Sequence, residues 1–329
     1  IILRVTEDGE RIPLTISHID PVKGTICIIV QTVGSTTEQL KRKQAGDFLP
    51  DVVGPLGKPT ETKGFKKVMV VGGGAAGMTA AQTCAKMGHD VTLYEKTDRL
   101  GGQMYLASQP PLRAKMGYFI KYASKQLQDL GVEVRLNTEA TAEDILALDP
   151  YAVFLTTGSE PIMPKSIKGI DGDNVYIVPQ ILGHKVELTG KKIVVAGAGL
   201  TGMETAEFLQ EAGNDVTVID MMSAVGFGAF QLLVIDETAL MARHGIRSMP
   251  GHKLVEIRPD SVLVEDLAGV RLELPCDAVI MSLGVRSVNG LKEALGDRKN
   301  VFVLGEADKA GNRVPQAVHP AFEAAYHLE

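Results

Sequence analysis

Lys67-Val68-Met69-Val70-Val71-Gly72-Gly73-Gly74-Ala75-Ala76-Gly77 is the stretch from which the fold of this 329-residue chain can be read. An apolar run enters a glycine-rich turn, a helix-compatible segment follows, and a second apolar run, Asp90-Val91-Thr92-Leu93-Tyr94, ends at Glu95. Strand, glycine turn, helix and strand in that order is the signature of a doubly wound α/β sheet. The pattern occurs twice. Lys192-Ile193-Val194-Val195-Ala196 runs into Gly197-Ala198-Gly199-Leu200-Thr201-Gly202, and Asp215-Val216-Thr217-Val218-Ile219 ends at Asp220. In both copies the acid follows the first glycine by 23 positions (95 − 72 and 220 − 197). One supersecondary unit used twice predicts two nucleotide ligands.

Each position in the unit has a mechanical task. The first glycine (Gly72, Gly197) makes the tight strand-to-helix turn, and the second (Gly74, Gly199) lets the backbone approach a pyrophosphate. The third (Gly77, Gly202) lets the helix lie close on the sheet. Ala75 and Ala76, like Leu200 and Thr201, open the helices, whose free N–H groups and positive dipole end favour an anion. The acids, Glu95 with Lys96 beside it and Asp220, can accept the hydroxyls of an adenosine ribose. The carboxylate of Asp220 repels a 2′-phosphate, and Met221-Met222-Ser223 bring no arginine, so NADH is expected over NADPH unless another loop supplies a cation.

The bulk numbers exclude several classes. A formal net charge of −6 leaves no electrostatic footprint for nucleic acid. The longest apolar runs, Val68–Val71 and Ile193–Ala196, are far shorter than a membrane span of roughly 20 residues, and no signal peptide opens the chain. Cys27, Cys84 and Cys276 are scattered, with no CxxC spacing, and read as reduced thiols of a cytoplasmic protein. Three thiols fall short of a cubane cluster's four ligands, so any cluster receiving electrons would be held elsewhere. The seven histidines show no metal-ligand spacing, and no metal is expected. The chain opens at Ile1 as if inside a strand and reads as a fragment; Leu328-Glu329 reads as the start of an appended tag.

Further landmarks make a family resemblance specific. From about Lys66 to the end the sequence resembles the C-terminal FAD/NAD(P)H module of the old-yellow-enzyme-like enoate and 2,4-dienoyl-CoA reductases. The segment Leu100-Gly101-Gly102-Gln103 with Ala107 and Pro110-Pro111 is similar to that family's run past the flavin. Thr156-Thr157-Gly158-Ser159-Glu160-Pro161 resembles the exit from the FAD domain, and Ser282-Leu283-Gly284-Val285-Arg286 the return. The resemblance implies FAD contacts at Gly102, Gln103, Thr157, Gly158, Gly305, Glu306 and Ala317, and a NAD contact at Gly284. Glu306 stands where the family has Asp. A helix is expected to begin near Pro320, aiming its N-terminus at the flavin ring, with His319 either bonding the ring or lying at the surface. The domains are expected to be nested, FAD over 66–163 and 277–329, and NAD(P)H over 164–276.

Residues 1–60 read as an all-β segment, followed by a linker at 61–65. Glu10-Arg11-Ile12-Pro13-Leu14-Thr15, Val33–Thr37 and Val52–Pro59 resemble part of the ferredoxin-reductase-type flavin barrel of dihydroorotate dehydrogenase electron-transfer and bifurcating transhydrogenase small subunits. That likeness implies a second flavin site at Arg11, Pro13, Leu14 and Thr15. A docking appendage and a junction of two polypeptides are the alternatives, because a half barrel leaves open strand edges. The segment Ala114–Leu130, with Tyr118, Phe119, Tyr122 and Leu127, reads as a core-packing helix, and Gly226–Phe230 as an ordinary loop. Function then divides three ways. The chain is a module that moves hydride from NAD(P)H to FAD and hands electrons to a partner flavin or iron–sulfur domain, by resemblance for an enoate-like double bond. Alternatively it is a subunit of an electron-bifurcating or ferredoxin-coupled complex, or a non-catalytic nucleotide-binding scaffold.

Overall fold

The computed structural model describes residues 1–54, 66–311 and 313–328. The chain divides into two compact units, 1–63 and 64–329. The expected linker at 61–65 and the Pro55–Pro59 end of the barrel-like motif lie outside the described residues.

The larger unit rests on two five-stranded sheets of one design. The first runs Val301–Val303, Ala152–Leu155, Lys67–Val71, Asp90–Tyr94, Glu133–Arg135. The second runs Val175–Ile177, Ala278–Met281, Lys192–Ala196, Asp215–Asp220, Arg247–Pro250. Every neighbouring pair in both is parallel. Each fingerprint strand is central, with the strand leading to its acid alongside. Parallel sheets are covered on both faces, so their strands read as unbroken apolar runs rather than alternating ones.

Alternate residues of the two central strands feed opposite cores. Val68 and Val70 pack with Met78, Ala81 and Cys84 of the helix Ala75–Lys86, and with Ala321 and Ala325 of the helix Val314–Tyr326. Met69 and Val71 face the other way, towards Ile145 and Leu295. In the second sheet Ile193 and Val195 meet Met203, Ala206 and Leu209 of the helix Leu200–Glu211. Val194 and Ala196 cover Leu254, Val262, Val264 and Leu274 of an antiparallel meander, His252–Ile257, Ser261–Asp266, Arg271–Pro275.

Several expectations shift. A return to the first domain at residue 277 comes too early, because Ala278–Met281 is fully buried between Val175–Ile177 and the fingerprint strand of the second sheet. An apolar run of that kind fits either sheet, and only the pairing decides. The return follows at Val285–Ser287, which pairs antiparallel with the outgoing Ser159–Pro161. The last helix begins at Val314 with Pro315 in its first turn, and Pro320 lies inside it; two prolines offered the same N-terminal signal. The segment read as core packing splits into a 3₁₀ turn, Ala114–Met116, and the helix Gly117–Asp129. Its buried residues are Ala123 and Leu127, while Tyr118 and Tyr122 face solvent at 66% and 58% exposure.

In the smaller unit Ile2–Arg4 lies antiparallel between Arg11–Pro13 and Asp51–Val53, and Ile16–Asp20 pairs with Thr25–Ile28. The all-β reading omitted the helix Ser35–Lys41. Its start is written in Thr37, whose hydroxyl accepts the N–H groups of Val33 and Gly34 at 3.1 and 3.0 Å. Among the described residues of this unit Leu3 and Val5 are the buried apolar ones, and Ile29, Val33 and Phe48 stay exposed.

Candidate functional site

The two fingerprints fold into near-identical cradles. Gly72 and Gly197 hold φ of +107° and +109°, where a side chain is strained. A Cβ at either would also overlap a carbonyl oxygen, that of Thr156 or of Ser282. One at Gly77 or Gly202 would overlap the carbonyl of the first glycine of its own turn. These four positions are closed by the protein itself. Gly74 and Gly199 differ: a Cβ there would meet no atom within 4 Å. Each is the N-cap of its helix, and no side chain caps the first turn. An open space in front of uncapped N–H groups is what a pyrophosphate requires, so both cradles fit a dinucleotide.

The acids are tied to the turns in the same way. Glu95 Oε2 accepts the N–H of Gly73 at 2.7 Å, and Asp220 Oδ2 accepts that of Ala198 at 2.6 Å. The other oxygens take the N–H two residues on, Thr97 and Met222, both at 2.8 Å. Glu95 Oε1 also accepts the Thr97 hydroxyl at 2.7 Å. A carboxylate has about four acceptor sites. Asp220 therefore keeps two for ribose hydroxyls, whereas Glu95, buried at 7% exposure, keeps one.

The remaining expected positions are spread over several places. Gly102 sits beside the first cradle, an added Cβ lying 3.1 Å from Gly74 Cα, and it caps the helix Gln103–Ala107. Thr157, Gly158 and Gly284 lie at the interdomain ribbon. The Thr157 hydroxyl donates to the Val288 carbonyl, and the Ile162 N–H donates to Gly284 at 3.0 Å. Gly305 packs towards Ala76 and Ala317, close to the first helix N-terminus. The carboxylate of Glu306, however, accepts Ser159 Oγ at 2.6 Å and the Gly311 N–H at 3.2 Å. The extra methylene relative to Asp carries it to those donors. His319 is exposed midway along its helix and lines an open cleft of about 470 Å³ with Arg313, Pro315, Gln316 and Pro320. In the smaller unit Arg11 Nε donates to Asp51 Oδ2 at 2.6 Å, which engages the guanidinium expected to hold flavin phosphate. Pro13 and Thr15 are exposed, and Leu14 donates its N–H to Ile1.

Two features of the larger unit carry roles that the sequence reading did not assign. The buried Thr156 hydroxyl, placed under the first turn, lies 2.9 and 2.8 Å from the carbonyls of Val71 and Gly72. Arg113, from the loop after Pro110-Pro111, reaches Glu204 Oε1 at 2.9 Å and also pairs with Glu237. Arg113 follows Pro110-Pro111-Leu112 and has Lys115 two residues on, so spacing alone does not distinguish it from a surface charge. All three cysteines are free; Cys27 is exposed, and burial pushes the Cys84 and Cys276 thiols up to about 12 and about 11.

Fold and site define a flavoprotein with a second dinucleotide domain nested in the first. The chain belongs to the pyridine nucleotide-disulphide oxidoreductase family, whose model matches residues 44–148 and 66–306. It is 38% identical over 268 residues to an NADH oxidase of Thermoanaerobacter brockii, covering 80% of this chain and 41% of that protein. A solved 2-naphthoyl-CoA reductase complex superposes with a TM-score of 0.76 at 32% identity, over 80% of this chain and 40% of that one. A shorter match, 40% identical over 95 residues, links 28% of the chain to 34% of a Thermotoga maritima homologue of the dihydroorotate dehydrogenase B electron-transfer subunit. The expected reductase-module resemblance and the electron-transfer-subunit resemblance both stand, as do an FAD-dependent NAD(P)H oxidoreductase class and the use of FAD and NADH. The chain spans about two fifths of the length of the longer relatives it matches. No helix of the described residues is long and apolar enough to cross a membrane.

Proposed function

We propose that this chain is the electron-input module of a larger reductase, taking hydride from NADH onto FAD and passing electrons to a flavin or iron–sulfur domain outside the chain. The observation that carries the reading is the pair of matching cradles, each open at its second glycine and each backed by a carboxylate with free acceptor sites.

FAD supplies the two-electron acceptor when bound. Residues of the first cradle, Gly72–Gly77 with Glu95 and Lys96, bind its adenosine and pyrophosphate, and Gly102, Gln103, Thr157, Gly158, Gly305, Glu306 and Ala317 line the rest of its path. Residues 197–202, Asp220 and Gly284 serve NADH. Orientation rather than side-chain acid–base chemistry then carries the acceleration, since holding two reactants in near-attack geometry is worth roughly 7–11 kcal/mol. The division is read as nested, with FAD at 66–163 and after the return strand and NADH between; both cradles lie within residues 64–329. An enoate-like double bond is the substrate class suggested by the acyl-CoA reductase similarity. The free thiols suit a reducing, cytoplasmic compartment.

A second reading draws on the electron-transfer-subunit similarity: residues 1–60 then dock the module into a bifurcating or ferredoxin-coupled complex. An anaerobic NADH titration tests the first proposal. Loss of the oxidised-flavin absorbance at stoichiometric NADH is expected; flavin that stays oxidised refutes hydride transfer and leaves a scaffold. Copurification of a cluster-bearing subunit would favour the second reading.

A further inference from the structure

We propose that Arg113 is the positioning residue that fixes the nicotinamide domain against the flavin domain, by gripping Glu204 and Glu237 of a carboxylate trio completed by the buried Glu207. The inference rests on the NADH-to-FAD reading and concerns the orientation of its two halves.

The trio is assembled from two helices of the second domain. Glu204 and Glu207 lie three residues apart on Leu200–Glu211, the helix whose N-terminus forms the second cradle, so they share one face. Glu237 comes from the neighbouring helix Gln231–Arg243. Glu207 and Glu237 are each 2% exposed. Arg113 enters from the first domain, with Nε 2.9 Å from Glu204 Oε1 and Nη2 on Glu237. Elsewhere across the domain boundary Gln109 Oε1 lies 3.0 Å from His184 Nε2, and Leu106 joins the second domain's core. The covalent crossings are the two strands of the Ser159–Pro161/Val285–Ser287 ribbon. A two-stranded ribbon bends readily, so it sets a hinge without setting an angle. The guanidinium fork, reaching two helices at once, supplies the angle.

The charges do not balance. Three carboxylates face one guanidinium, and Glu207 Oε1 and Glu237 Oε2 are buried without a hydrogen-bond partner. An unpaired buried carboxylate is costly, and the usual relief is to take up a proton. Glu207 is the member without a cationic contact. Its carboxyl is raised to about 7, first by burial, then by Glu237, with Glu211 and Glu204 adding repulsion and Arg113 opposing them. Burial likewise raises Glu204, against the pull of Arg113. For a carboxyl raised on folding, the closed arrangement is unpenalised at low pH and loses stability as pH climbs through the raised value. Above neutrality the extra charge pushes the trio towards water, and the grip loosens.

The test uses the FAD-loaded chain, measuring the limiting rate of flavin reduction and the NADH affinity by stopped flow. It also follows amide hydrogen exchange at Ile162 and Val288, whose 3.0 Å bonds close the two ends of the ribbon. Arg113→Met should lower the limiting rate about tenfold with NADH affinity changed by less than about threefold, and should speed exchange at both amides. Arg113→Lys keeps the charge, loses the fork, and should recover part of both; it carries the test if the Met variant does not fold. In the native chain the rate should fall between about pH 6 and pH 8, and Glu207→Gln should flatten that slope. Native exchange and rate in the arginine variants, or a pH slope that survives Glu207→Gln, overturns the proposal. A native chain that NADH cannot reduce would refute the functional reading alone, because the exchange measurement still decides the grip.

Discussion

Gly74→Val should separate cofactor binding from folding. The backbone at Gly74 is extended, with φ of −74° and ψ of −174°, which any residue adopts. A Cβ there touches nothing within 4 Å. Removing glycine from an N-cap costs about 1 kcal/mol, and the lower entropy of the unfolded chain returns about half of that. For a unit of this size the melting temperature of the apoprotein should move by less than about 4 °C. The effect on FAD is of another order. The first-turn N–H groups can hold a pyrophosphate only at hydrogen-bond distance, about 3 Å, and a branched side chain at the cap occupies that approach. Losing two hydrogen bonds to a charged group costs about 3–6 kcal/mol, a factor of roughly 10² to 10⁴ in affinity. Gly77→Ala is the control, because its Cβ would overlap the Gly72 carbonyl and so attack the fold directly, by about 3 kcal/mol. Thermal unfolding of apoprotein and flavin content after gel filtration read the two effects. Stoichiometric FAD in Gly74→Val would refute the assignment of the cradle.

Other outcomes follow from the same geometry. Asp220→Ala should raise the NADH requirement about tenfold or more and the NADPH requirement far less, since the lost carboxylate is the group that repels a 2′-phosphate; steady-state flavin reduction with each nucleotide checks it, and equal losses would remove the basis for NADH preference. Thr156→Val removes a hydroxyl bonded beneath the first turn and should destabilise by about 1–2 kcal/mol, measurable by urea unfolding. Alkylation of the native chain at mildly alkaline pH should label Cys27 and spare Cys84 and Cys276, whose thiols burial pushes up to about 12 and about 11; rapid labelling of all three, read by mass spectrometry, would contradict the burial of Cys84 and Cys276.

What the sequence made legible was local. The turn, helix and acid of each cradle fall within about 25 residues, so glycine positions and acid spacing make it recognisable, although the carbonyls of Thr156 and Ser282 that close the first glycines come from distant strands. The crossings at Ser159–Pro161 and Val285–Ser287 were legible as motifs, but their antiparallel pairing was not. The strand Ala278–Met281, expected in the first domain, belongs to the second sheet, because its composition suits either parallel sheet and only the pairing decides. The start of the last helix was misplaced by the presence of two prolines, Pro315 and Pro320, with equal claims to the first turn. Tyr118 and Tyr122 looked like core by hydrophobicity, yet Ala123 and Leu127 fill the inward positions of that helix.

The positions hardest to read are those that relate one cradle to the other. Gly74 and Gly199 work identically whether their helices converge or diverge, so selection for nucleotide binding leaves the mutual orientation free. Orientation has to come from contacts distant in sequence, and Arg113 lies 91 residues from Glu204 and 124 from Glu237. Such a contact has no local signature: an arginine after two prolines and glutamates on helices are ordinary surface residues until the fold buries them together. Hydride transfer nonetheless depends on this relation more than on either cradle, because an error of about 1 Å between reactants can cost a hundredfold in rate. A variant that binds both nucleotides with native affinity and still reduces FAD slowly would therefore point to the contact between domains, where the carboxylate trio, with Glu207 and Glu237 buried, leaves the arrangement open to adjustment by a single proton.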